Sequence, residues 1–267
     1  MISVIIPCFN TGLYLDEAIH SILNNRIKDF EIIIIDDGST DLLTLNLLKE
    51  IRLSGIIKVI TKKNGGPSSA RNLGVAHSNG EFLLFLDSDN RIRPDYLSKA
   101  LEHMNLGSKV GVVYSKPHFF GLESSVSPRF EVIDFKFDAL LAGNYIDMCS
   151  LVRKEAFLDV GGFDENPELF YGEDGDLWVR IAQRGWKFYF IDEVLFDYRI
   201  RDNSLMGQVD DLKRTRTLHY FGSKHGYLIH QRYRQYFRVL ESIQKKPLTY
   251  FLRILYYKFI LKKPLIS

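Results

Sequence analysis

The stretch Glu81-Phe-Leu-Leu-Phe-Leu-Asp87-Ser-Asp89-Asn90 decides the fold of this chain and points to its chemistry. Its five apolar residues predict a buried strand that ends in two carboxylates separated by one serine. Because side chains alternate along a strand, Asp87 and Asp89 are expected to face the same side of the strand end. Two hard oxygen ligands there suit a divalent cation that also binds phosphate. The same residue types are ordinary in a solvated turn, so the motif alone leaves both interpretations open.

The bulk composition is that of a globular protein. With 267 residues, 46% hydrophobic and 25% charged, the chain can form one large α/β domain or two small ones. A net charge of +2 does not indicate a nucleic-acid-binding protein, and no nucleic-acid partner is expected. The charge is unevenly placed, because residues 244–267 contain six Lys or Arg and no acid.

The cysteines and the N-terminus favour a cytoplasmic location. Cys8 and Cys149 are too few and too distant in sequence to predict a disulfide framework or a zinc site, so a reducing compartment is expected. The first residues lack the basic segment of a signal peptide. No stretch reaches the roughly 20 apolar residues of a membrane span.

Residues 1–105 alternate between apolar strands and amphipathic helices. Uninterrupted apolar strands are covered on both faces, which indicates a parallel sheet with crossover helices. The predicted strands are 3–6, 31–35, 56–60 and 82–86, and the predicted helices include 15–23, 43–51 and 68–76. Thr40 or Asp41 is expected to cap the second helix.

Residues 107–200 are less regular. Short strands are predicted at 110–114, 186–191 and 194–198, and residues 118–138 are expected to form a loop or a small hairpin. From Ser204 onward the pattern is helical.

Polar or glycine-rich residues follow one predicted strand after another. In a parallel sheet these strand ends converge on one edge and would line one cleft. No Gly-x-Gly-x-x-Gly follows the first strand, which argues against a dehydrogenase. The strand ends are Pro7-Cys-Phe9-Asn10, Asp36-Asp37-Gly38-Ser39, Asn64-Gly65-Gly66-Pro67 and Asp87-Ser88-Asp89.

Six ordered motifs make the chain resemble a family 2 glycosyltransferase with the GT-A fold, an inverting group that uses nucleotide-diphospho-sugars. They are Val4-Ile-Ile-Pro-Cys-Phe-Asn10, Ile34-Ile-Asp-Asp-Gly-Ser39, Ala70-Arg-Asn-Leu-Gly74, Gly80-Glu-Phe-Leu-Leu-Phe-Leu-Asp-Ser-Asp89, Gly161-Gly-Phe-Asp164 and Gly172-Glu-Asp-Gly-Asp-Leu177.

The resemblance implies an α/β architecture with a Rossmann-like, mostly parallel central sheet flanked by helices. The GT-A domain would span 1–203, with a nucleotide-binding half (1–105) and an acceptor-binding half (106–203). Residues 204–267 would form a helical C-terminal extension outside the resemblance.

The resemblance also implies a nucleotide site. Phe9 would stack on uracil in place of the more usual tyrosine. Asp37 would accept a hydrogen bond from the uracil imide with Asp36 on the ribose side, although this pair could instead cap a helix. Arg71, expected in the first turn of its helix, would bind the diphosphate or else form a surface ion pair. The implied nucleotide-binding residues are Pro7, Phe9, Asn10, Asp36, Asp37, Asn64, Gly66, Arg71, Asp87 and Ser88.

The metal and catalytic residues follow from the same resemblance. Asp89 would bind Mn²⁺ or Mg²⁺ on the diphosphate, and Asp87 would approach the ribose or bind the same metal. Asn90 follows where many relatives have another Asp. Asp174 would act as the general base and Glu173 as its support or as an acceptor contact, although both acids could merely cap the helix, where negative charge is favoured. Asp176 is a competing candidate for the base.

Three further features are open to two interpretations each. Gly161-Gly162 is expected to form a turn that carries the acceptor-side loop, or to be purely structural. Arg199 and Arg201 could reach the diphosphate or be surface charges. The apolar, lysine-flanked residues 245–263 could lie on an anionic membrane surface, or dock on the catalytic domain or a second subunit as in a homo-oligomer.

The expected activity is transfer of a hexosyl or N-acetylhexosaminyl group from a UDP-sugar to a hydroxyl of a surface polysaccharide or lipid-linked glycan. The protein would be cytoplasmic or peripheral on the cytosolic face of the membrane. Two alternatives are a nucleotidyltransferase, which leaves Glu173-Asp174 unused, and a catalytically silent nucleotide-sugar-binding or scaffold protein.

Overall fold

The structure is a computed structural model that describes residues 1–121, 130–201 and 209–262. Residues 122–129, within the expected loop or hairpin, lie outside the described residues. The elements in chain order are β1 (Ile2–Cys8), α1 (Gly12–Leu23), β2 (Phe30–Asp36), α2 (Leu42–Ser54), β3 (Lys58–Thr61), α3 (Gly66–Ala76), β4 (Phe82–Phe85), β5 (Arg91–Ile92), α4 (Tyr96–Met104), β6 (Val110–Gly121), α5 (Phe137–Ala142), β7 (Leu151–Arg153), α6 (Lys154–Asp159), α7 (Glu173–Gln183), β8 (Lys187–Ile200), α8 (Asp211–Lys245), α9 (Pro247–Leu255) and a π-helical segment, Tyr256–Leu261.

One sheet runs through the described part of residues 1–201 in the order β3-β2-β1-β4-β7-β6-β8-β5. β1 pairs in parallel with β2 and β4, and β2 pairs in parallel with β3. β7 is antiparallel to both β4 and β6. The predicted α/β class with a mostly parallel, Rossmann-like sheet is therefore confirmed.

Both faces of the central strands are covered, as their uninterrupted apolar runs predict. Ile32 and Ile34 pack in the core that contains Leu15 and Ile19 of α1. Ile33 and Ile35 face the opposite side, where Ala70 of α3 packs on them. Burial on both faces explains why β2 contains four successive isoleucines.

The second half of the sheet is more continuous than the sequence predicts. β6 extends beyond residue 114 to Gly121, and the two strands predicted at 186–191 and 194–198 form the single strand β8. The register between β6 and β8 shifts between Ser115 and Lys116, where Ile191 and Val194 are the successive partners. This irregularity accommodates the polar pair at 192 and 193 without ending the strand.

Gly74 allows α3 to pack closely on β1. A Cβ built at this position would lie 2.4 Å from Ile5 Cγ2. We expect Gly74→Ala to destabilise the fold by about 1–3 kcal/mol through overpacking. Thermal unfolding measures this change, and Gly107→Ala is the matched control because nothing lies within 4 Å of its Cβ position. Equal melting temperatures for the two variants would contradict the prediction.

The chain divides into two compact units, Met1–Thr217 and Leu218–Ser267. The boundary predicted at 203/204 falls within residues 202–208, which lie outside the described residues, and the division of the catalytic domain into halves stays a prediction. The helical pattern predicted for the C-terminal residues matches α8 and α9. None of the described helices combines the length and apolarity needed to cross a membrane.

Candidate active site

Asp87 and Asp89 lie just beyond β4, in a turn that the Asn90 backbone N–H closes by donating to the Asp87 backbone oxygen at 3.0 Å, so strand alternation does not place them. Asp87 and Asp89 are 34% and 14% exposed at the side chain. Ser88 between them is buried, and its Oγ lies 2.7 Å from Thr11 Oγ1. Burial and then the charge of Asp87 raise the pKa of Asp89, against the opposing charge of Arg201. The nucleotide-binding role expected for Ser88 stays a prediction, with its hydroxyl already engaged by Thr11.

Arg71 joins the end of β4 to the start of α7. Its Nη2 lies 2.7 Å from Asp87 Oδ1, and its Nη1 lies 2.8 Å from Glu173 Oε1. Its side chain is only 4% exposed, so this is not a surface ion pair. Although burial opposes it, the charges of Asp87 and Glu173 raise the pKa of Arg71. Because α3 begins at Gly66, Arg71 lies in the second turn and not in the first turn as expected.

Arg199 and Arg201 also belong to this site. Arg201 Nε donates to Asp89 Oδ2 at 2.6 Å, and Arg199 Nε donates to the Asp89 backbone oxygen at 2.9 Å. Both guanidinium groups lie over the ring of Tyr14. The Arg199 guanidinium is 4.6 Å from the ring centroid, and that of Arg201 is 5.6 Å from it. These contacts make them part of the carboxylate cluster and not isolated surface charges.

The first turn of α7 supplies the predicted base. Asp174 Oδ1 accepts a hydrogen bond from the Gly175 backbone N–H at 2.8 Å. Burial and then the charge of Glu173 raise the pKa of Asp174 well above its usual range. The competing candidate, Asp176, is fully buried and forms an ion pair with Arg180 at 2.8 Å. This structural pairing makes Asp176 the poorer choice for a base.

Asn72 fixes the glycine turn beside this site. Its Oδ1 accepts from the Phe163 backbone N–H at 2.9 Å, and its Nδ2 donates to the Phe163 carbonyl at 3.0 Å. Gly161 and Gly162 both have positive φ, 79° and 77°. The turn holds the Phe163 ring 5.4 Å from the Arg71 guanidinium. The glycines are therefore needed for backbone geometry, and their link to an acceptor loop stays a prediction.

The carboxylate of Asp37 organises the loop before α3. Its Oδ1 accepts from Lys62 Nζ at 2.7 Å and from the Gly65 N–H at 3.0 Å, and its Oδ2 accepts from the Gly66 N–H at 2.8 Å. These bonds fix the loop that contains Asn64. The uracil contact expected for Asp37 remains a prediction, and this carboxylate would have to share or exchange these donors to make it.

Neither Asp36 nor Asp37 caps α2, the helix that follows them, although Asp37 does accept from N–H groups at the start of α3. Asp41 caps α2, since its Oδ1 accepts from the Thr44 N–H at 2.8 Å. Asp36 is buried and accepts from the Ser39 N–H at 2.9 Å and from Thr61 Oγ1 at 3.2 Å. Asp36 thus stabilises the strand end and its following turn.

Phe9 and Asn10 follow β1 at the same edge of the sheet. Phe9 is 46% exposed, which leaves its ring accessible for stacking, and Pro7 before it is half-buried. Asn10 has a positive φ of 54°, and its Oδ1 accepts from the backbone N–H groups of Thr40 at 2.8 Å and Asp41 at 3.2 Å. Asn10 therefore ties the end of β1 to the start of α2.

Sequence reasoning missed one acid, Asp147, which precedes β7. Burial and then the charge of Asp87 raise the pKa of Asp147 to about 7. Its charge also acts on Asp174. The only sequence signal was an acid just before the apolar run Leu151-Val152, and recognising it required the antiparallel pairing of β7 with β4.

The assembled cleft has more negative than positive charge. Five carboxylates interact electrostatically with one another or with Arg71, and Arg201 pairs with one of them, Asp89. The five are Asp87, Asp89, Asp147, Glu173 and Asp174. Within residues 1–121, 130–201 and 209–262, no group of three acids, histidines or cysteines is arranged to hold a metal ion by itself. Asp87 and Asp89 nevertheless fit a divalent cation whose remaining ligands are phosphate and water oxygens. The site is thus a cluster of carboxylates and arginines at one edge of an α/β sheet.

Comparison with known proteins gives the family. Residues 3–161 match the family described as Glycosyl transferase family 2, and the chain belongs to this family. An uncharacterized glycosyltransferase of Rickettsia conorii is 34% identical over 68% of this chain. The match covers only 30% of that protein's length. A GalNAc(5)-diNAcBac-PP-undecaprenol beta-1,3-glucosyltransferase of Campylobacter jejuni is 29% identical over 90% of this chain and 74% of the relative.

Solved structures agree with the GT-A fold. The structure of S. aureus TarS 1-349 in complex with UDP-GlcNAc matches with a TM-score of 0.62 at 22% identity, covering 81% of this chain and 66% of the other. The mannosyltransferase PcManGT from Pyrobaculum calidifontis, in complex with GDP-Man and Mn²⁺, matches with a TM-score of 0.62 at 18% identity. This structural match covers 84% of this chain and 63% of the mannosyltransferase chain.

Proposed function

We propose that this protein is an inverting glycosyltransferase that moves a sugar from a nucleotide-diphospho-sugar, a UDP-sugar in the first instance, to a glycan hydroxyl. The observation that carries the proposal is the Arg71 bridge, which brings the carboxylates at the end of β4 and those at the start of α7 into one cleft. In the transfer, the donor diphosphate and the base lie on opposite sides of the reacting carbon. The bridge joins the carboxylates proposed to hold the diphosphate to those proposed to supply the base.

Asp174 is the proposed general base. An inverting transfer needs a carboxylate that removes the proton of the acceptor hydroxyl as it attacks the anomeric carbon. Burial and the charge of Glu173 raise the pKa of Asp174, so its ionised form is a stronger base than an exposed aspartate. Glu173 holds Arg71 by its Oε1 and thereby positions the start of α7.

Asp87 and Asp89 are the proposed ligands of a divalent cation, Mn²⁺ or Mg²⁺. When bound, such a cation neutralises the charge that develops on the departing diphosphate. Each carboxylate commits one oxygen to an arginine, Asp87 to Arg71 and Asp89 to Arg201, and has a second oxygen with which to bind a cation. Arg201, whose side chain is 25% exposed, can add hydrogen bonds to phosphate, and the buried Arg71 contributes positive charge.

The exposed ring of Phe9 is the proposed stacking surface for the base of the nucleotide. The loops fixed by Asn10, Asp36 and Asp37 would border the nucleoside, together with Asn64 and Gly66. A nucleotidyltransferase would leave the pair Glu173-Asp174 without a role, so this class is the weaker alternative.

The proposed acceptor is a lipid-linked or surface glycan. The name of the Campylobacter relative describes a glucosyltransferase acting on a polyprenyl-diphosphate-linked saccharide. A relative in Bacillus subtilis, 27% identical over 77% of this chain, is named as a putative teichuronic acid biosynthesis glycosyltransferase. These relatives support a glycan acceptor, and the first of them supports a lipid-linked one.

The C-terminal unit is proposed to contact the cytosolic face of the membrane. From Leu218 onward the chain has ten Lys or Arg and one acid, Glu241. Aromatic side chains such as Phe251 and Phe259 are exposed on the same unit. Basic groups favour anionic headgroups, and aromatic rings favour the interface. A second subunit that covers these rings is the competing arrangement.

We expect the full chain to float with vesicles containing anionic phospholipid and not with purely zwitterionic vesicles. Replacing both Lys245 and Lys246 by glutamine should weaken binding roughly 10- to 30-fold, at ~1 kcal/mol per basic residue. Lys49→Gln with Lys187→Gln, two exposed lysines of the catalytic unit, is the control of equal charge. Full-length protein that stays below the anionic vesicles and sediments as a dimer would support subunit contact instead.

The test of the proposed function is release of nucleotide diphosphate from a panel of UDP-, GDP- and dTDP-sugars with Mn²⁺ or Mg²⁺, in the presence of lipid-linked saccharide acceptors. We expect one nucleotide class to be bound and turned over. Binding without turnover of any donor would support the catalytically silent alternative. No binding of any donor would overturn the proposal.

A further inference from the structure

Residues 144–150, which the proposed mechanism does not use, run beside the carboxylate end of β4. They precede β7, in which Leu151 lies opposite Leu84 in an antiparallel register. Because the two strands run in opposite directions, the residues before Leu151 continue alongside the residues after Leu84. This direction leads the segment toward Asp87.

The same segment also contacts the first turns of α7. Trp178 Nε1 donates to the Ile146 backbone oxygen at 3.0 Å. A Cβ built on Gly175 would lie 3.1 Å from Asn144 Cβ, so the absence of a side chain at Gly175 permits this close packing. Gly175 is the neighbour of Asp174 in the chain. The segment therefore lies between the two ends of the site.

Asp147 is held firmly at the centre of this segment. Its Oδ1 accepts from the Cys149 backbone N–H at 2.8 Å, and its backbone oxygen accepts from Ser150 Oγ at 2.7 Å. The charges of Asp87 and of Asp174 both interact with that of Asp147. One carboxylate oxygen is thus fixed by the turn, and Asp147 has a second oxygen with which to bind a ligand.

We propose that Asp147 binds hydroxyl groups of the sugar being transferred and selects among donors by them. This inference rests on the proposed transfer from a nucleotide-sugar. The sugar is bonded to the diphosphate, which belongs at Asp87 and Asp89, and its anomeric carbon must face the acceptor at Asp174. A side chain between these two positions lies beside the sugar ring. A carboxyl group accepts hydrogen bonds in either protonation state, which matches a ring bearing several hydroxyl donors.

The test compares wild type with Asp147→Asn, in which the side-chain oxygen can still accept from the Cys149 N–H. The probes are UDP-glucose, UDP-galactose, UDP-GlcNAc and GDP-mannose, followed by monodeoxy forms of whichever donor wild type uses best. We expect kcat/KM for the intact donor to fall about 10- to 100-fold, because a hydrogen-bond partner of a substrate hydroxyl is lost. The Kd for the free nucleotide diphosphate with Mn²⁺ should stay within about twofold of wild type, since that ligand has no sugar.

The deoxy donors provide the decisive comparison. Wild type should discriminate against removal of at least one hydroxyl, and Asp147→Asn should lose that discrimination. Asp192→Asn, on an exposed residue of β8, is the matched control and should behave as wild type. If Asp147→Asn does not fold, Asp147→Ser, whose short hydroxyl can also accept from the Cys149 N–H, is measured in the same way.

Two results would overturn the inference. One is a loss of nucleotide diphosphate affinity that parallels the loss of kcat/KM, which would place Asp147 at the diphosphate. The other is unchanged discrimination of every deoxy donor by the variant, which would make Asp147 a purely structural residue. Wild-type protein that turns over no donor would instead count against the proposed function, so the two failures are distinguishable.

Discussion

Replacing Asp174 with asparagine is expected to lower kcat for sugar transfer by about 10³-fold, because a positioned general base contributes roughly 10²–10⁴. Asparagine keeps the shape of the side chain and the acceptor for the Gly175 N–H, but it cannot take a proton from the acceptor hydroxyl. The Kd for the donor should change little, since the proposed role of Asp174 is to act on the acceptor hydroxyl. Steady-state kinetics of nucleotide diphosphate release, with donor binding by calorimetry, measure both quantities.

The same variant should be more stable than wild type at neutral and alkaline pH. In wild type, burial and the charge of Glu173 raise the pKa of Asp174 in the folded state, so ionisation there disfavours the fold. The folded protein therefore loses stability as pH rises from about 4, the pKa of an unfolded aspartate, through this raised pKa. Asparagine does not ionise, so the advantage of the variant should grow over that range to about 1–2 kcal/mol, or ~2–8 °C in Tm.

Glu50→Gln, on an exposed face of α2, is the control for both measurements and should match wild type. In the free enzyme, kcat/KM of wild type should rise with pH through the raised pKa of Asp174, because only the ionised carboxylate acts as a base. If Asp174→Asn retains more than a tenth of wild-type kcat, Asp174 is not the base. If its melting temperature also equals that of wild type at every pH, ionisation of Asp174 does not destabilise the fold.

Local sequence patterns were sufficient for the sheet and for the groups at its strand ends. The apolar run before Asp87 predicted the strand and the acids that follow it, whereas the structure places Asp87 to Asn90 in a turn beyond β4, with Ser88 buried. The four isoleucines of β2 predicted a strand covered on both faces. These features depend on neighbours within a few residues, so a single sequence contains the information.

Contacts between distant segments were beyond the sequence. The ion pair between Arg71 and Glu173 joins residues 102 positions apart, and no local periodicity encodes it. Asp147 was missed because its position depends on the antiparallel pairing of β7 with β4. The capping residue of α2 was predicted only as a choice between Thr40 and Asp41, since both residue types favour that position.

Withdrawal of the divalent cation is expected to have the second large effect. With EDTA, and separately in Asp89→Asn, turnover should fall by about 10²–10³-fold, because several kcal/mol of stabilisation of the departing diphosphate is lost. Asp89 loses its charge in this variant while its side chain remains close in size, and Arg201 then lacks its anionic partner. Calorimetric binding of UDP with and without Mn²⁺ gives a readout that does not depend on turnover.

Wild type should bind UDP at least tenfold more tightly with Mn²⁺ than with EDTA, and Asp89→Asn should show little of this difference. A bound cation would relieve the repulsion between the Asp87 and Asp89 carboxylates, and the variant lacks that repulsion because asparagine is neutral. Asp192→Asn removes an exposed acid of β8 and should keep the full response to Mn²⁺. The metal proposal would be contradicted if Mn²⁺ left UDP binding by wild type unchanged and transfer proceeded in EDTA. In that case Arg71 and Arg201 alone neutralise the diphosphate, and the Asp87 and Asp89 carboxylates orient these arginines.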